Sequence, residues 1–112
     1  MPQHFGSKKL NIVSQSSPTG TQYLQAVGAS FVCQREKNKA IVYVSSGEGT
    51  TSQGDFHESL NWASREKAPV IFHIQNNKYA ISVPIEEQTS GESIYNITSG
   101  YDSLSRYDVD GC

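Results

Sequence analysis

The stretch AIVYVSSGEGTTSQGDFHESLNWASREKAPVIFHIQNN, residues 40–77, decides the fold. Its first part, AIVYVSS from Ala40, is a continuous β-branched run of the kind found in strands covered on both faces of a parallel sheet. A glycine-rich loop follows. Asp55 with Glu58 three residues on fits a capping box, and Phe56, Leu60 and Ala63 give a helical stripe that runs to about Lys67. Pro69 blocks its continuation, and PVIFHIQNN reads as a second buried strand. Strand, helix and strand in this order form a βαβ unit, whose crossover is nearly always right-handed. The fold class that follows is α/β with a mainly parallel sheet.

Upstream, MPQHFGSKKLNIVSQSSPTG mixes Pro, Gly and Ser around a short LNIV run, which predicts loop, one short strand and a turn at SSPTG. In TQYLQAVGASFVCQREKN the apolar residues Leu24, Val27, Phe31 and Val32 follow helical spacing, with Gly28 on the same face as a point of close packing. The polar REKN run closes that helix. Downstream, EEQTSGES is expected to be an exposed loop, Ile94 to Leu104 a weak helix, and RYDVDG one more short strand. There is no internal repeat.

The chain has 112 residues and a net charge of −2, so it has room for one domain with one modest core. The lysines and arginines are spread along it without a basic run, which argues against nucleic-acid binding through phosphates. No stretch approaches the ~18 apolar residues of a membrane helix, and the N-terminus lacks the apolar region of a signal peptide. An intracellular protein with reduced cysteines is expected, Cys33 in the core and Cys112 incidental at the chain end.

In an open parallel sheet, ligands bind beyond the carboxyl ends of the strands, where helix N-termini present backbone N–H groups. Both polar clusters of this chain, GEGTTSQG and NNKYAIS, fall there. A P-loop requires lysine after its last glycine, and Asp55 stands in that place. A dinucleotide fingerprint fails as well, because the third glycine comes late, at Gly54, and Glu48 between the first two would repel a bare pyrophosphate. A cation resolves the conflict: Mg²⁺ takes hard oxygen ligands from one or two protein groups and from phosphate. Glu48 and Asn77 would supply oxygens, with the N–H groups of Gly49 and Thr50 free to meet a diphosphate.

GEG followed by NN, with Gly47 to Asn77 spanning thirty-one residues, resembles the signature of thiamine-diphosphate enzymes. With its flanks, including SSPTGTQYLQAVGA and APVIFHIQNNKYAISVP, the chain resembles the alpha subunit of the decarboxylating component of 2-oxo acid dehydrogenase complexes, branched-chain (2-oxoisovalerate) type. The likeness covers nearly the whole chain. It implies a three-layer thiamine-diphosphate-binding fold with helices on both faces of the sheet, of which residues 1–112 are a single partial domain, the diphosphate and metal half.

What the resemblance implies for sites is specific. Glu48, the side chain of Asn77 and the carbonyl of Tyr79 match magnesium ligands, and Gly47, Gly49 and Thr50 match cofactor-diphosphate positions. Ser17 and Thr19 match positions near the aminopyrimidine, while Ser16, Pro18, Thr21 and Gln22 match a structural potassium site of some members. Glu48 stands where many relatives have Asp, Thr19 where many have a bulky apolar residue, and Gln75 where some have a phosphate-contacting arginine. No residue of this chain is expected to act as catalytic acid or base; His4, His57 and His73 read as packed or surface histidines.

For the full assembly the resemblance implies oxidative decarboxylation of branched-chain 2-oxo acids, with pyruvate or acetoin as alternatives, and acylation of a lipoyl group. The implied partners are a beta subunit and the lipoyl acyltransferase of the complex, in bacterial cytoplasm or the mitochondrial matrix. Family alpha subunits are much longer and carry their catalytic histidines further along. The chain is therefore expected to be a fragment, inactive alone, and the competing expectation is a non-catalytic piece that only folds or associates.

Overall fold

The computed structural model describes residues 4–111. Cys112, expected to be incidental, lies outside them. The chain runs through helix α1 (Thr21–Arg35), strand β1 (Val42–Gly47), a 3-10 turn (Glu48–Ser52), helix α2 (Gly54–Glu66) and strand β2 (Val70–Gln75). A small antiparallel hairpin follows, β3 (Tyr79–Ala80) and β4 (Val83–Pro84), and then two short helices, α3 (Ile85–Gln88) and α4 (Ile94–Ile97).

β1 and β2 pair in parallel, with Val42 opposite Val70 and Gly47 opposite Gln75, so the predicted βαβ unit is the centre of the fold. Matched register brings both strands to an end at the same edge, and both polar clusters with them. α2 stops where Lys67 takes a left-handed conformation and Ala68 donates its N–H to the Ala63 carbonyl, with Pro69 preventing any restart as helix.

One face of the strand pair carries Val42, Val44, Phe72 and Ile74, and against it pack Tyr23, Ala26, Phe56 and Leu60 from α1 and α2. The rings of Tyr23 and Phe56 lie 5.1 Å apart at a tilted angle, a favourable aromatic geometry. Small residues let the two helices approach: Ser30 and Ser59 are buried, and each hydroxyl donates to a carbonyl three residues earlier in its own helix. Their burial therefore strands no polar group.

The opposite face of the strands shows Ile41, Tyr43 and Ile71 to solvent. The structure is thus α/β with parallel strands, as expected, and the described residues supply the sheet and one helical layer.

Several local expectations are corrected. The buried face of α1 is Tyr23, Ala26, Val27 and Ser30, whereas Leu24 and Val32 are exposed, because apolar residues occur on two sides of the helix and α2 together with the sheet covers the side of Tyr23 and Ala26. Gly28 marks no close contact within this chain, since a Cβ there would meet nothing within 4 Å. Cys33 is half-buried and not in the core. The N-cap of α2 is Gln53, and Asp55 sits in the first turn, where its charge still complements the helix dipole. Glu58 accepts instead from the indole N–H of Trp62 at 2.5 Å.

EEQTSGES is not a free loop: Ile85 and Thr89 are buried and α3 forms around them. The helix expected over Ile94 to Leu104 is a single capped turn, with Ser93 accepting from the Asn96 N–H. LNIV makes one bridge, Ser7 to Ile12, and RYDVDG forms no strand, there being no partner edge beside it among the described residues.

Candidate functional site

The ends of β1 and β2 open into a cleft of about 340 Å³, lined by Gly47, Glu48, Gly49, Thr50, Asn77, Tyr79, Ala80 and Ile81. Every residue that the sequence assigned to magnesium and diphosphate is therefore on its wall. The adjacency of Glu48 and Asn77 follows from the register, because Gly47 and Gln75 face each other and the next residues turn into the loops.

Glu48 is only 1% exposed. Its Oε2 accepts from the backbone N–H of Asn77 at 3.4 Å, and its Oε1 is buried without any hydrogen-bond partner. A buried carboxylate with one long hydrogen bond is costly unless a positive charge compensates it. Its own carbonyl is held twice, by the Thr51 hydroxyl at 2.7 Å and by the Gln88 side-chain amide at 3.1 Å.

Asn77 Oδ1 accepts from the Tyr79 N–H at 2.8 Å, which folds the NNKY segment back over the strand end and leaves that oxygen a second lone pair. Gly49 is required by close approach. A Cβ there would come 2.7 Å from the Ala80 Cβ, so the hairpin lies directly on the loop. Among the described residues no three His, Cys, Asp or Glu side chains gather as a metal cluster. A cation held here would rest on one carboxylate and neutral oxygens, the donor set that suits a hard ion such as Mg²⁺.

The upstream turn forms a second, separate group. The Ser16 and Thr21 hydroxyls are in contact, and Thr21 Oγ1 donates to the Pro18 carbonyl at 2.9 Å, so three oxygens of the expected potassium set converge. Gln22 instead turns its Oε1 to the Gly20 N–H at 2.9 Å. Ser17 and Thr19 are exposed on this turn and do not line the cleft; Ser17 Oγ lies 3.3 Å from His4 Nε2. Gly20, at φ 104, has its Cβ position 2.9 Å from Gln53 and 3.8 Å from Thr50, which sets the turn beside the Glu48 loop.

His57 and His73 each face a tyrosine hydroxyl, His73 that of Tyr43 at 2.6 Å and His57 that of Tyr101 at 3.4 Å, and neither lines the cleft. Burial raises the Tyr23 hydroxyl pKa, against the opposing hydrogen bond with Ser46, and raises that of Tyr101, with the Glu58 charge adding to it.

Sequence reasoning missed three residues here. Ala80 and Ile81 belong to the cleft, and Ile81 is fully exposed at φ 60, a conformation that nothing in YAIS foretells. Gln88 was hidden inside a stretch read as loop; the Pro84–Ile85 pair before it was the available sign of an ordered turn.

Comparison with known proteins bears on this geometry. The chain is 50% identical over 101 residues to the 2-oxoisovalerate dehydrogenase subunit alpha of Bacillus subtilis, covering 90% of this chain and 31% of the relative. It is 44% identical over 112 residues to the mitochondrial 2-oxoisovalerate dehydrogenase subunit alpha of Caenorhabditis elegans, covering 26% of that protein. For the corresponding Homo sapiens protein the identity is 42% over 105 residues, 94% of this chain and 24% of the relative. The chain thus spans about a quarter to a third of the length of these relatives. The family described as Dehydrogenase E1 component matches residues 1–111, and the chain belongs to that family.

Proposed function

We propose that this chain is the segment of a 2-oxo acid dehydrogenase alpha subunit that holds the diphosphate of thiamine diphosphate through Mg²⁺. The observation that carries the reading is Glu48: a carboxylate buried on the wall of a cleft between two strand ends, with one oxygen lacking any partner. A divalent cation answers that missing partner, and a diphosphate answers the cation.

In this reading Glu48, the Asn77 side chain and the Tyr79 carbonyl hold the metal, and Gly47, Gly49 and Thr50 receive the diphosphate. Ser17 and Thr19 lie towards the aminopyrimidine, and Ser16, Pro18 and Thr21 form a K⁺ site beside Thr50, to which Gln22 would add its oxygen on turning away from the Gly20 N–H. The cofactor, when bound, supplies the electron sink for loss of CO₂ from a 2-oxo acid, and these residues orient it. None of them moves a proton.

The names of the relatives favour branched-chain 2-oxo acids as substrates of the complete protein. A beta subunit and a lipoyl acyltransferase are the proposed partners. The open sheet face with Ile41, Tyr43 and Ile71 supports the view that activity belongs to a larger assembly. Relatives occur both in a bacterium and in mitochondria, and cytoplasm or mitochondrial matrix is the proposed location. No helix among the described residues is long and apolar enough to cross a membrane.

Isothermal titration of the chain with thiamine diphosphate tests the reading. Heat of binding is expected with Mg²⁺ present and not with EDTA. Equal binding in both, or unchanged binding by Glu48→Ala, would overturn it.

A further inference from the structure

We propose that Gln88 is a positioning residue for the metal-holding loop, an inference that rests on the reading of Glu48 as the metal's carboxylate. Among the described residues two buried side-chain polar atoms lack a hydrogen-bond partner, Glu48 Oε1 and Gln88 Oε1. They belong to residues that are directly joined, since Gln88 Nε2 donates to the Glu48 carbonyl at 3.1 Å.

The Glu48 carbonyl has two donors of different kinds. Thr51 is three residues away within the same 3-10 turn, so its hydroxyl tightens the turn without fixing where the turn sits. Gln88 comes from forty residues away, on α3, which the buried Ile85 anchors. Its hydrogen bond ties the loop to α3, a tie separate from the Asn77 and Ala80 contacts on the cleft side.

Gly49 is bracketed by the same arrangement. Its Cβ position lies 2.7 Å from the Ala80 Cβ on the hairpin and 4.0 Å from Gln88 Oε1. The Glu48–Gly49 peptide is therefore clasped between hairpin and α3; a turn of this peptide plane would swing the Glu48 carbonyl off Gln88 and re-aim the Gly49 N–H, and a shift of the whole segment would carry the Glu48 side chain with it. Packing does not account for glutamine at this position, because an apolar side chain of equal length would fill the space without stranding a buried acceptor. The amide donor does.

The test compares Mg²⁺ affinity, measured by titration calorimetry in the presence of thiamine diphosphate, for the unaltered chain, Gln88→Met and Glu48→Ala. Methionine keeps the length and removes the donor. Gln88→Met is expected to bind Mg²⁺ ~10-fold more weakly while remaining folded by circular dichroism, the size of effect that loss of a supporting hydrogen bond has at metal sites. A purely structural role would lower the melting temperature and leave Mg²⁺ affinity alone.

Gln88→Met binding as tightly as the unaltered chain, while Glu48→Ala loses binding, overturns the positioning role and leaves the cofactor reading intact. Absence of binding by the unaltered chain, or unchanged binding by Glu48→Ala, overturns both. Should Gln88→Met fail to fold, NMR of the unaltered chain decides: the Gln88 side-chain amide signals are expected to shift and exchange more slowly on addition of Mg²⁺ and thiamine diphosphate. Signals that do neither overturn the proposal.

Discussion

The backbone N–H of Asn77 donates to Oε2 of Glu48 across 3.4 Å, joining the ends of two adjacent parallel strands at a single carboxylate. The pair lies twenty-nine positions apart in sequence, with turn, helix and strand between. The other Glu48 oxygen has no partner, and this is the origin of the first prediction.

Without a metal, Glu48 is a buried carboxyl group with one oxygen unpartnered, and leaving such a group unsatisfied costs about 1–3 kcal/mol that an apolar residue of similar volume would not incur. Glu48→Met is therefore expected to melt at a higher temperature than the unaltered chain in EDTA. The order should reverse with saturating Mg²⁺ and thiamine diphosphate, which stabilise only the form that binds them. Thermal denaturation in both buffers checks this, and a lower melting temperature for Glu48→Met in EDTA would count against a metal-demanding carboxylate.

Gly49→Ala introduces a methyl group 2.7 Å from the Ala80 Cβ, closer than such atoms approach. Either the hairpin lifts or the loop shifts, at a cost of about 1–3 kcal/mol by analogy with overpacked cores. Urea denaturation measures the loss. Because the displaced surfaces are the two walls of the cleft, Ala80→Gly in the same chain is expected to restore most of it.

Ile81 is fully exposed and held at φ 60, a region that β-branched residues avoid. It buries nothing within this chain. Ile81→Gly removes the steric strain of that conformation, though it also gives the unfolded chain more freedom, so the net gain is expected to be small, ~0.5–1 kcal/mol. Equilibrium unfolding checks the sign, and a loss of more than that amount would show that Ile81 makes contacts the structure does not contain.

The buried Tyr23 hydroxyl has its pKa raised by desolvation above the value of 10.0. A group whose folded pKa exceeds its unfolded one contributes stability that is complete below the unfolded pKa and lost as pH rises towards the folded one. Stability is therefore expected to be flat with respect to this group below about pH 10 and to fall above it. In Tyr23→Phe the alkaline fall should be shallower, with a constant penalty at all pH values from the lost contact with Ser46. Equal slopes in the two proteins would exclude Tyr23 as the source.

The βαβ unit was legible because period and punctuation agree within it: β-branched runs at 42–47 and 70–75, the Phe56, Leu60, Ala63 stripe between them, and Pro69 at the break. That Gly47 to Thr50 and Asn77 share one cleft was legible for a related reason, since parallel strands must end at one edge and the polar clusters follow both strands. α1 was harder. It carries apolar residues on two sides, and only packing against α2 and the sheet selects Tyr23, Ala26 and Ser30 for burial over Leu24 and Val32. The segment after Pro84 was misread because its polar composition conceals two inward residues, Ile85 and Thr89.

By itself the sequence determined the α/β class, the strand order along the chain and the identity of the loop acid, because hydrophobic period, proline positions and motif spacing are local properties. Only the tertiary structure decided that Glu48 is buried with one oxygen unpartnered, that Ala80 forbids a side chain at Gly49, and that Gln88 grips the Glu48 carbonyl. Those are contacts between segments distant in sequence. They exist because packing of α3 and the hairpin onto the strand ends places particular atoms within bonding distance, a consequence of shape that no periodicity encodes.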